Sequence, residues 1–305
     1  MAVPHISENF GDLLDPRFQR IFDEEYKQLQ SMIPELYTDV PSNGRNNMMW
    51  SEVGTLPDFD QFSGMVGYHS QNQGYDTTAT YLEFTNGIQV ERKFFDDEQY
   101  NVIDQRPRAL AASAARTREK HGAAPFNNAF AVDTTFYSNS EAVALCSNSH
   151  TTTSGASTAN GFDNLVTTQL SAVALAAARI QMVGFRGDQA ERIQVVPDQI
   201  LGPPDLYETA YEIIASSGKV NTADNNRNVH EGKYTFIEWN YLPDTKNWFL
   251  MDSTMRRNML FWVDRIPLEF GMIEDFDTFT AKWRAYMRYA YAHVNWRWIL
   301  GAQVS

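Results

Sequence analysis

The sequence predicts an α+β protein with a long helix, long antiparallel strands and a mixed α/β region. An alanine-rich segment after Pro107 indicates the helix. Apolar and polar residues alternate between Trp283 and Tyr291, which indicates the strands. Short strand patterns alternate with helix patterns in residues 132–254, which is typical of a mixed α/β region.

The composition is that of a folded protein and argues against several classes of function. The 305 residues are 43% hydrophobic and 21% charged, as in ordinary globular domains. The single cysteine, Cys146, excludes an internal disulfide and a multi-cysteine metal cage. The start of the chain does not resemble a signal peptide, and the longest apolar stretch is too short for a membrane span. We therefore expect synthesis in the cytoplasm.

The formal net charge is −13. Tight binding to DNA or RNA over a broad surface normally requires a basic face that neutralises phosphates. A container wall that must not adhere to its cargo would have an acidic charge, and so would many enzymes. The charge therefore separates these two classes only weakly.

Residues 1–49 are predicted to form an N-terminal arm with one amphipathic helix. Its apolar positions recur at helical spacing: Phe10, Leu13, Leu14, Phe18, Ile21, Phe22 and Leu29. Pro34 and Pro41 mark the end of the arm. This apolar stripe needs a partner, either the body of the chain or a neighbouring subunit.

Residues 50–95 are predicted to form an extended loop. The segments 81–85 and 88–92 flank Asn86-Gly87, which predicts a β-hairpin with a type I′ turn. Residues 68–80 are polar and are expected to form an exposed loop before this hairpin. A two-stranded extension cannot bury itself, so we expect it to lie over another surface.

Residues 96–131 are predicted to contain two helices, and residues 255–305 the long strands. Asp96-Asp97-Glu98 is expected to cap a short helix that ends near Asp104. The long helix then begins at Pro107 and is expected to end at Gly122. The last strand is predicted to turn near His293 and to return as its own partner strand. That return carries Trp296, Trp298 and Leu300.

The mixed α/β region, residues 132–254, is expected to contain both element types. Strands are predicted at residues 143–145, 193–200, 234–241 and 248–251, and helices at residues 168–183 and 203–214. The crowded C-terminal aromatics are interpreted as core or subunit contacts and not as a base-stacking surface.

One segment could carry covalent chemistry: Cys146-Ser147-Asn148-Ser149-His150. A hydrolase that uses Cys146 or Ser147 with His150 is therefore the alternative from another functional class. Such adjacency is common by chance, and nothing marks the segment as a nucleophile elbow. We interpret it as a strand that leaves the core into a polar loop, and we predict no catalytic residue.

No metal or cofactor is expected. The six histidines are scattered, and none forms a pair at metal-ligand spacing. The acidic clusters at residues 58–60 and 274–277 lack the pattern of a calcium loop, so the first is expected on an exposed loop and the second in a turn. The sequence has neither a P-loop nor a dinucleotide fingerprint.

The order of these elements resembles the major head proteins of tailed phages with the HK97-like fold, and more narrowly the Mu-type major head subunits. The segments that carry the resemblance are Trp50-Ser51-Glu52-Val53-Gly54-Thr55-Leu56-Pro57, Phe94-Phe95-Asp96-Asp97-Glu98-Gln99-Tyr100, Leu145-Cys146-Ser147-Asn148-Ser149-His150, Val195-Val196-Pro197 and the strand–turn–strand near His293. The likeness extends from about residue 10 to the end.

The resemblance implies a non-catalytic capsid protein of the virion that assembles in the host cytoplasm. The arm and the extended loop would embrace neighbouring subunits, residues 96–131 and 255–305 would form a peripheral domain, and residues 132–254 an axial domain. The expected partners are other copies in pentamers and hexamers, a portal, scaffold and cement or decoration proteins, and packaged double-stranded DNA in weak contact, with no membrane. An encapsulin-like compartment shell has the same fold and is the nearest alternative.

Overall fold

The protein combines helices with three β-sheets, which confirms the predicted α+β class. The computed structural model describes residues 8–62, 64–91, 93, 104–218, 226–275 and 280–305. The helices in these residues are α1 (Glu8–Gln28), α2 (Ile33–Leu36), α3 (Gln105–Asn127), α4 (Ala172–Val183), α5 (Tyr207–Ala215) and α6 (Ser253–Met259). The strands are β1 (Thr38–Asp39), β2 (Asn47–Val53), β3 (Gln73–Thr80), β4 (Leu82–Glu91), β5 (Tyr137–Asn139), β6 (Leu165–Val166), β7 (Gln199–Gly202), β8 (Thr235–Glu238), β9 (Trp248–Met251), β10 (Leu260–Asp275), β11 (Thr280–His293) and β12 (Ile299–Ala302).

The arm contains the predicted helix, α1, which packs on the body of its own chain. The Phe18 ring meets Trp283 of β11 edge-on, with ring centroids 5.0 Å apart. Phe22 stacks on Phe270 of β10 at 4.8 Å. Both phenylalanines are buried, whereas Leu29 follows the end of the helix and is 36% exposed. The second half of the apolar stripe is therefore buried against the body of its own chain.

The three longest described strands, β4, β10 and β11, form a four-stranded sheet with the short β1, in the order β1-β10-β11-β4. β11 pairs antiparallel with β10 on one side and with β4 on the other. The alternation predicted for this strand is confirmed, because one face is buried under α1 and α3. The buried residues of that face are Trp283, Ala285, Met287, Tyr289 and Tyr291.

The hairpin turn predicted at Asn86-Gly87 is wrong. β4 continues through both residues, and Asn86 pairs with Ala285 while Gly87 pairs with Arg284. Gly87 lies outside the positive-φ region that a type I′ turn requires. β11 offers β4 a partner for its backbone groups along its whole length. This long-range pairing outweighs the local turn preference.

The extended hairpin of this region lies earlier in the chain. β2 and β3 pair antiparallel, from Asn47 opposite Thr80 to Val53 opposite Gln73. Residues 54–72 connect them without regular structure in the described part. The loop predicted for residues 68–80 is therefore correct up to residue 72 and wrong beyond it, because β3 is held on its other edge by β5.

Helix α3 confirms the predicted long helix but does not end at Gly122. The helix continues to Asn127. A Cβ atom on Gly122 would lie 3.0 Å from Ile33 and 3.2 Å from Trp239. The glycine therefore permits close packing instead of ending the helix. The short helix predicted for residues 96–104 lies, apart from Asp104, outside the described residues.

A five-stranded sheet in the order β6-β12-β9-β7-β8 forms the second layer of the core. Helix α4 and the strands β8 and β9 fall within the predicted segments, and α5 ends one residue beyond its predicted segment. No strand forms at residues 143–145. The carbonyl of Leu145 accepts a hydrogen bond from the Asn164 side chain and not from the backbone N–H of a neighbouring strand. Of the strand predicted at residues 193–200, only its end forms. Val196 N–H donates to Asp252, and Pro197 has no N–H to donate.

The return strand at the C-terminus forms, but its predicted pairing with β11 is wrong. Both edges of β11 are occupied by β10 and β4. β12 instead pairs antiparallel with β9 and parallel with β6. The division into arm, loop, peripheral and axial units stays a prediction. Within such a division, β12 would belong to the sheet of residues 132–254.

The continuous course of β4 predicts a small effect of Asn86→Thr. The free energy of unfolding should change by less than about 0.5 kcal/mol, because threonine suits a paired strand. In a type I′ turn the same change would cost about 1 kcal/mol or more, because a β-branched residue would take a positive φ. Urea denaturation measures the difference. Gly232→Val is the control, because Gly232 has φ +65 and open space around its Cβ position. If Asn86→Thr lowered the free energy of unfolding as much as Gly232→Val does, the assignment of Asn86 to a strand would be wrong.

Candidate functional site

The segment from Cys146 to His150 does not bring either nucleophile into hydrogen-bonding distance of the histidine. The Cys146 thiol is buried, and burial raises its pKa far above the usual value, so it stays protonated. The Ser147 hydroxyl lies 3.0 Å from the hydroxyl of Ser149. The ring nitrogens of His150 face Glu141 at 3.2 Å and Asn164 at 3.1 Å. Neither nucleophile therefore has His150 as its hydrogen-bonded base.

His150 instead anchors a polar loop. Its ring stacks on Trp296 with centroids 4.2 Å apart. Asn164, which it contacts, also donates to the carbonyls of Leu145 and Ile299 at 2.8 and 3.1 Å. Asn164 could not be recognised from the sequence, because an isolated asparagine in a polar stretch belongs to no recognisable motif. The arrangement is structural and joins this loop to β12.

A buried charged cluster lies where β2 meets the end of β11. Arg297 donates to Glu52 at 3.3 Å and to Asp188 at 3.1 Å, and Asn295 donates to Glu52. Burial raises the pKa of Glu52 from its usual 4.5 to about 7, although Arg297 attracts the charged form. Glu52 lies in a segment that carried the family resemblance. Its ion pair with Arg297 was not predicted, because the two residues are far apart in sequence.

The loop of residues 54–72 is held tightly at its base. Gly54 N–H donates to the carbonyl of Asn72 at 2.9 Å. A Cβ atom on Gly54 would lie 2.7 Å from the same oxygen, so this position requires glycine. The Thr55 hydroxyl accepts a hydrogen bond from Asp188 N–H at 3.2 Å. The base of the loop is therefore joined to the buried charged cluster.

Beyond its base, the loop is exposed and carries large apolar side chains. Phe59 is 101% exposed and Tyr68 is 93% exposed. The other large exposed apolar residues of the loop are Leu56, Phe62, Met65 and Val66. An accumulation of this kind marks an interaction surface. Asp58 and Asp60 lie on this exposed loop, as predicted.

The scattered histidines and the acidic clusters were the other candidates from the sequence. Among the described residues, no group of three histidine, cysteine, aspartate or glutamate side chains could hold a metal ion. His293 is buried and bonds to the Tyr137 hydroxyl at 2.8 Å. Burial lowers the pKa of His293 from 6.5 to about 4. The turn predicted for residues 274–277 is wrong for Glu274 and Asp275, because both lie in β10 and pair with Ala281 and Thr280 of β11. Residues 276–279 lie outside the described part.

The tryptophans near the C-terminus are core residues, as predicted. Trp283, Trp296 and Trp298 are all buried. None of them is available for stacking on nucleic-acid bases within this fold. Among the described residues, no helix is both long enough and apolar enough to cross a membrane.

Comparison with known proteins gives a consistent result. A model of the phage capsid protein family matches residues 75–302. The mature capsid of bacteriophage PhiM1 is similar over 91% of this chain and 88% of its own, with a TM-score of 0.56 and 9% identity. The capsid of Myoviridae phage XM1 is similar over 90% and 91%, with a TM-score of 0.55 and 10% identity.

A virus-like particle from Pyrococcus furiosus is similar over 95% of this chain and 99% of its own. Its TM-score is 0.52 and its identity is 8%. These likenesses concern the fold, because the identities are low. A search among curated proteins finds no match.

The raised pKa of Glu52 predicts a pH effect on stability. Between its usual pKa of 4.5 and the folded value of about 7, the folded state holds more protons on Glu52 than the unfolded state. The free energy of unfolding therefore falls as pH rises through this range, by at most about 1.4 kcal/mol per pH unit. In Glu52→Gln this decline should be absent. Between pH 5 and 8 the free energy of unfolding of the variant should therefore rise by about 2 kcal/mol relative to that of the unchanged protein.

Urea denaturation of both proteins at several pH values measures this difference. His293 has the opposite slope between about 4 and 6.5, because the unfolded state then holds more protons on it. That slope is common to both proteins and cancels. Val229→Thr, at an exposed position without a titratable group, is the control and should show a constant difference. A constant difference for Glu52→Gln would contradict the assignment.

Proposed function

The chain belongs to the phage capsid protein family, and we propose that its copies close into the icosahedral head shell of a tailed phage around the genome. The observation that carries the proposal is the match of the family model over residues 75–302, on a fold similar to phage capsids. The narrower assignments, to the HK97-like type and to the Mu-type major head subunits, are part of the same proposal.

The mechanism is assembly through many repeated contacts, with no catalytic step. Pentamers and hexamers form by head-to-tail contacts that close into rings. The loop of residues 54–72 supports this mechanism, because its base is fixed while its apolar side chains are exposed to solvent. Such a loop gains stability by lying on a neighbouring copy. In this scheme residues 96–131 with β10 and β11 form the peripheral domain, and residues 132–254 with β12 form the axial domain.

The proposed partners follow from a shell that is filled with DNA. A portal, scaffold and cement or decoration proteins would join the shell during assembly in the host cytoplasm, and the mature protein would reside in the virion. The net charge of −13 suits a wall that contacts packaged double-stranded DNA weakly and without sequence preference.

The second candidate is an encapsulin-like compartment. It would use the same type of fold to enclose an enzyme, and the fold likeness to a virus-like particle fits both readings. The family match favours the phage head. The contents of purified particles separate the two, because a phage head holds scaffold protein or DNA and a compartment holds an enzyme.

Co-expression tests the proposed function. The protein should form shells, tubes or rings when it is produced alone or with the genes that flank its own. Negative-stain electron microscopy and sedimentation velocity detect these particles. A discrete monomer or dimer under every condition, including co-expression with a scaffold, would contradict the proposal and would return attention to His150 and the buried Cys146.

Shortening of the loop tests its part in assembly. β2 and β3 end opposite each other at Val53 and Gln73, so an Asn-Gly turn can replace residues 54–72. We expect this variant to keep its circular dichroism spectrum and its urea midpoint but to yield at least about tenfold fewer shells, because each missing contact is repeated around the particle. As a control, Phe59→Tyr keeps the aromatic ring and should assemble. Shells from the shortened chain at the usual yield would contradict the role of the loop.

A further inference from the structure

The solvent-exposed side of the long helix α3 carries a row of basic side chains. Arg108, Arg116 and Lys120 are exposed. They follow one another after eight and four residues, so they project from one side of the helix and cover about 18 Å of its length. Small residues separate them, namely Ala109, Ala112 and Ala115. The three cations are therefore the most prominent side chains of this surface, which we call the basic ridge.

The cations of the basic ridge have no partner within the part of the chain that the structure describes. None of the three side chains forms an ion pair or a hydrogen bond there. Two other arginines of α3 differ in this respect. Arg118 forms an ion pair with Asp264 at 2.8 Å, and Arg106 donates to the carbonyl of Gln89 at 2.9 Å. The ridge is thus the part of the helix whose positive charge is not used within the fold.

The one carboxylate of α3 does not neutralise the ridge. Glu119 is the single acidic residue of this helix, and its side chain is buried. It accepts hydrogen bonds from the Ser31 hydroxyl at 2.5 Å and from the Trp239 indole at 3.1 Å. The helix therefore buries its own negative charge and leaves three positive charges in solvent.

The basic ridge also opposes the local electrostatic preference of the helix. Arg108 lies in the first turn, where the helix dipole favours acidic residues over cations, yet this turn contains no acidic residue. The net charge of the whole chain is −13, so cations are the minority among its charges. A charge that conflicts with its local preference and has no structural partner is typical of a functional surface.

The chemistry of the ridge fits the phosphate backbone of double-stranded DNA. Cations spread over about 18 Å can all meet phosphates, because a duplex carries one negative charge per about 1.7 Å of its axis. An interface with another protein would use large apolar or aromatic anchors, whereas here alanines lie between the cations. The ridge also has no aromatic ring on which the bases of a single strand could stack.

We propose that the basic ridge contacts the phosphates of packaged double-stranded DNA and that this side of α3 faces the interior of the shell. This inference rests on the proposed function and names the surface that meets the genome. Three phosphate contacts give a weak attachment without sequence preference. Helix α1, which packs beside α3, exposes Asp23 and Glu24. These carboxylates repel phosphates and keep the contact confined to the ridge.

Binding of a DNA duplex tests the ridge. The ridge variant combines Arg108→Gln, Arg116→Gln and Lys120→Gln. The control variant combines Arg179→Gln, Arg284→Gln and Lys233→Gln, which also removes two exposed arginines and one exposed lysine. Both variants therefore have the same net charge. Fluorescence anisotropy of a labelled duplex measures the affinity of the unassembled proteins between about 20 and 200 mM salt. Circular dichroism and urea midpoints establish that each variant folds.

The unchanged protein should bind the duplex weakly at low salt, and the logarithm of its affinity should fall with the logarithm of the salt concentration. In the ridge variant this slope should be less steep by about two to three, because each phosphate contact contributes about 0.9. The affinity of the ridge variant at the lowest salt should fall at least about tenfold. The slope of the control variant should change by less than about one, since its lost charges make no phosphate contact.

Equal losses of affinity in the two variants would overturn the inference, and so would an unchanged protein that does not bind the duplex at the lowest salt. Shell assembly gives a second readout. The ridge variant should form shells at the usual yield, because the ridge is not a contact between subunits. If the ridge variant forms no shells while the control variant does, the ridge contacts a protein, and the inference is overturned.

These outcomes also separate the inference from the proposed function. Shells that form from the unchanged protein, together with duplex binding that the ridge variant retains in full, overturn the ridge while the shell function stands. If the unchanged protein never assembles, the proposed function fails and this inference fails with it, whatever the duplex measurement gives.

Discussion

The antiparallel pairing of β11 with β10 and β4 is the constraint on which the rest of the structure depends. Along one face this strand receives the arm through Trp283, and it receives helix α3 through Tyr289, whose hydroxyl bonds to His121 at 2.7 Å. At its end, His293 bonds to Tyr137 of β5, and Arg297 a few residues later holds Glu52 of β2. A single strand therefore positions the arm, the long helix and the base of the exposed loop.

The sequence predicts the parts of the fold whose signals are local and periodic. The alternation from Trp283 to Tyr291 and the alanine-rich helix are signals of this kind. Prediction from sequence fails where a distant partner determines the local structure. Asn86-Gly87 lies in a strand only because β11 lies beside it. The same reason explains why the pairing of β12 and the contact between Arg297 and Glu52 could not be predicted. The exposed acidic segment at residues 58–60 was predicted, because it lies in a polar stretch without a periodic pattern.

The most conspicuous chemical residues of the chain lie in its core, and we propose the exposed loop of residues 54–72 as its functional surface. Cys146, His150 and His293 are buried among their partners, and burial shifts the pKa of Cys146 upward and that of His293 downward, which favours their neutral forms. The buried ion pairs of Arg297 fix the base of residues 54–72 to the core. The exposed part of that loop then presents apolar and acidic side chains at a defined place, which is what repeated assembly requires.

A cryo-electron microscopy reconstruction of the assembled particle tests this account most directly. The account predicts a closed shell of pentamers and hexamers in which residues 54–72 of each copy lie on a neighbouring copy. A particle in which this loop folds back on its own subunit or points into solvent would contradict the central claim. A density that shows no closed shell would contradict it as well.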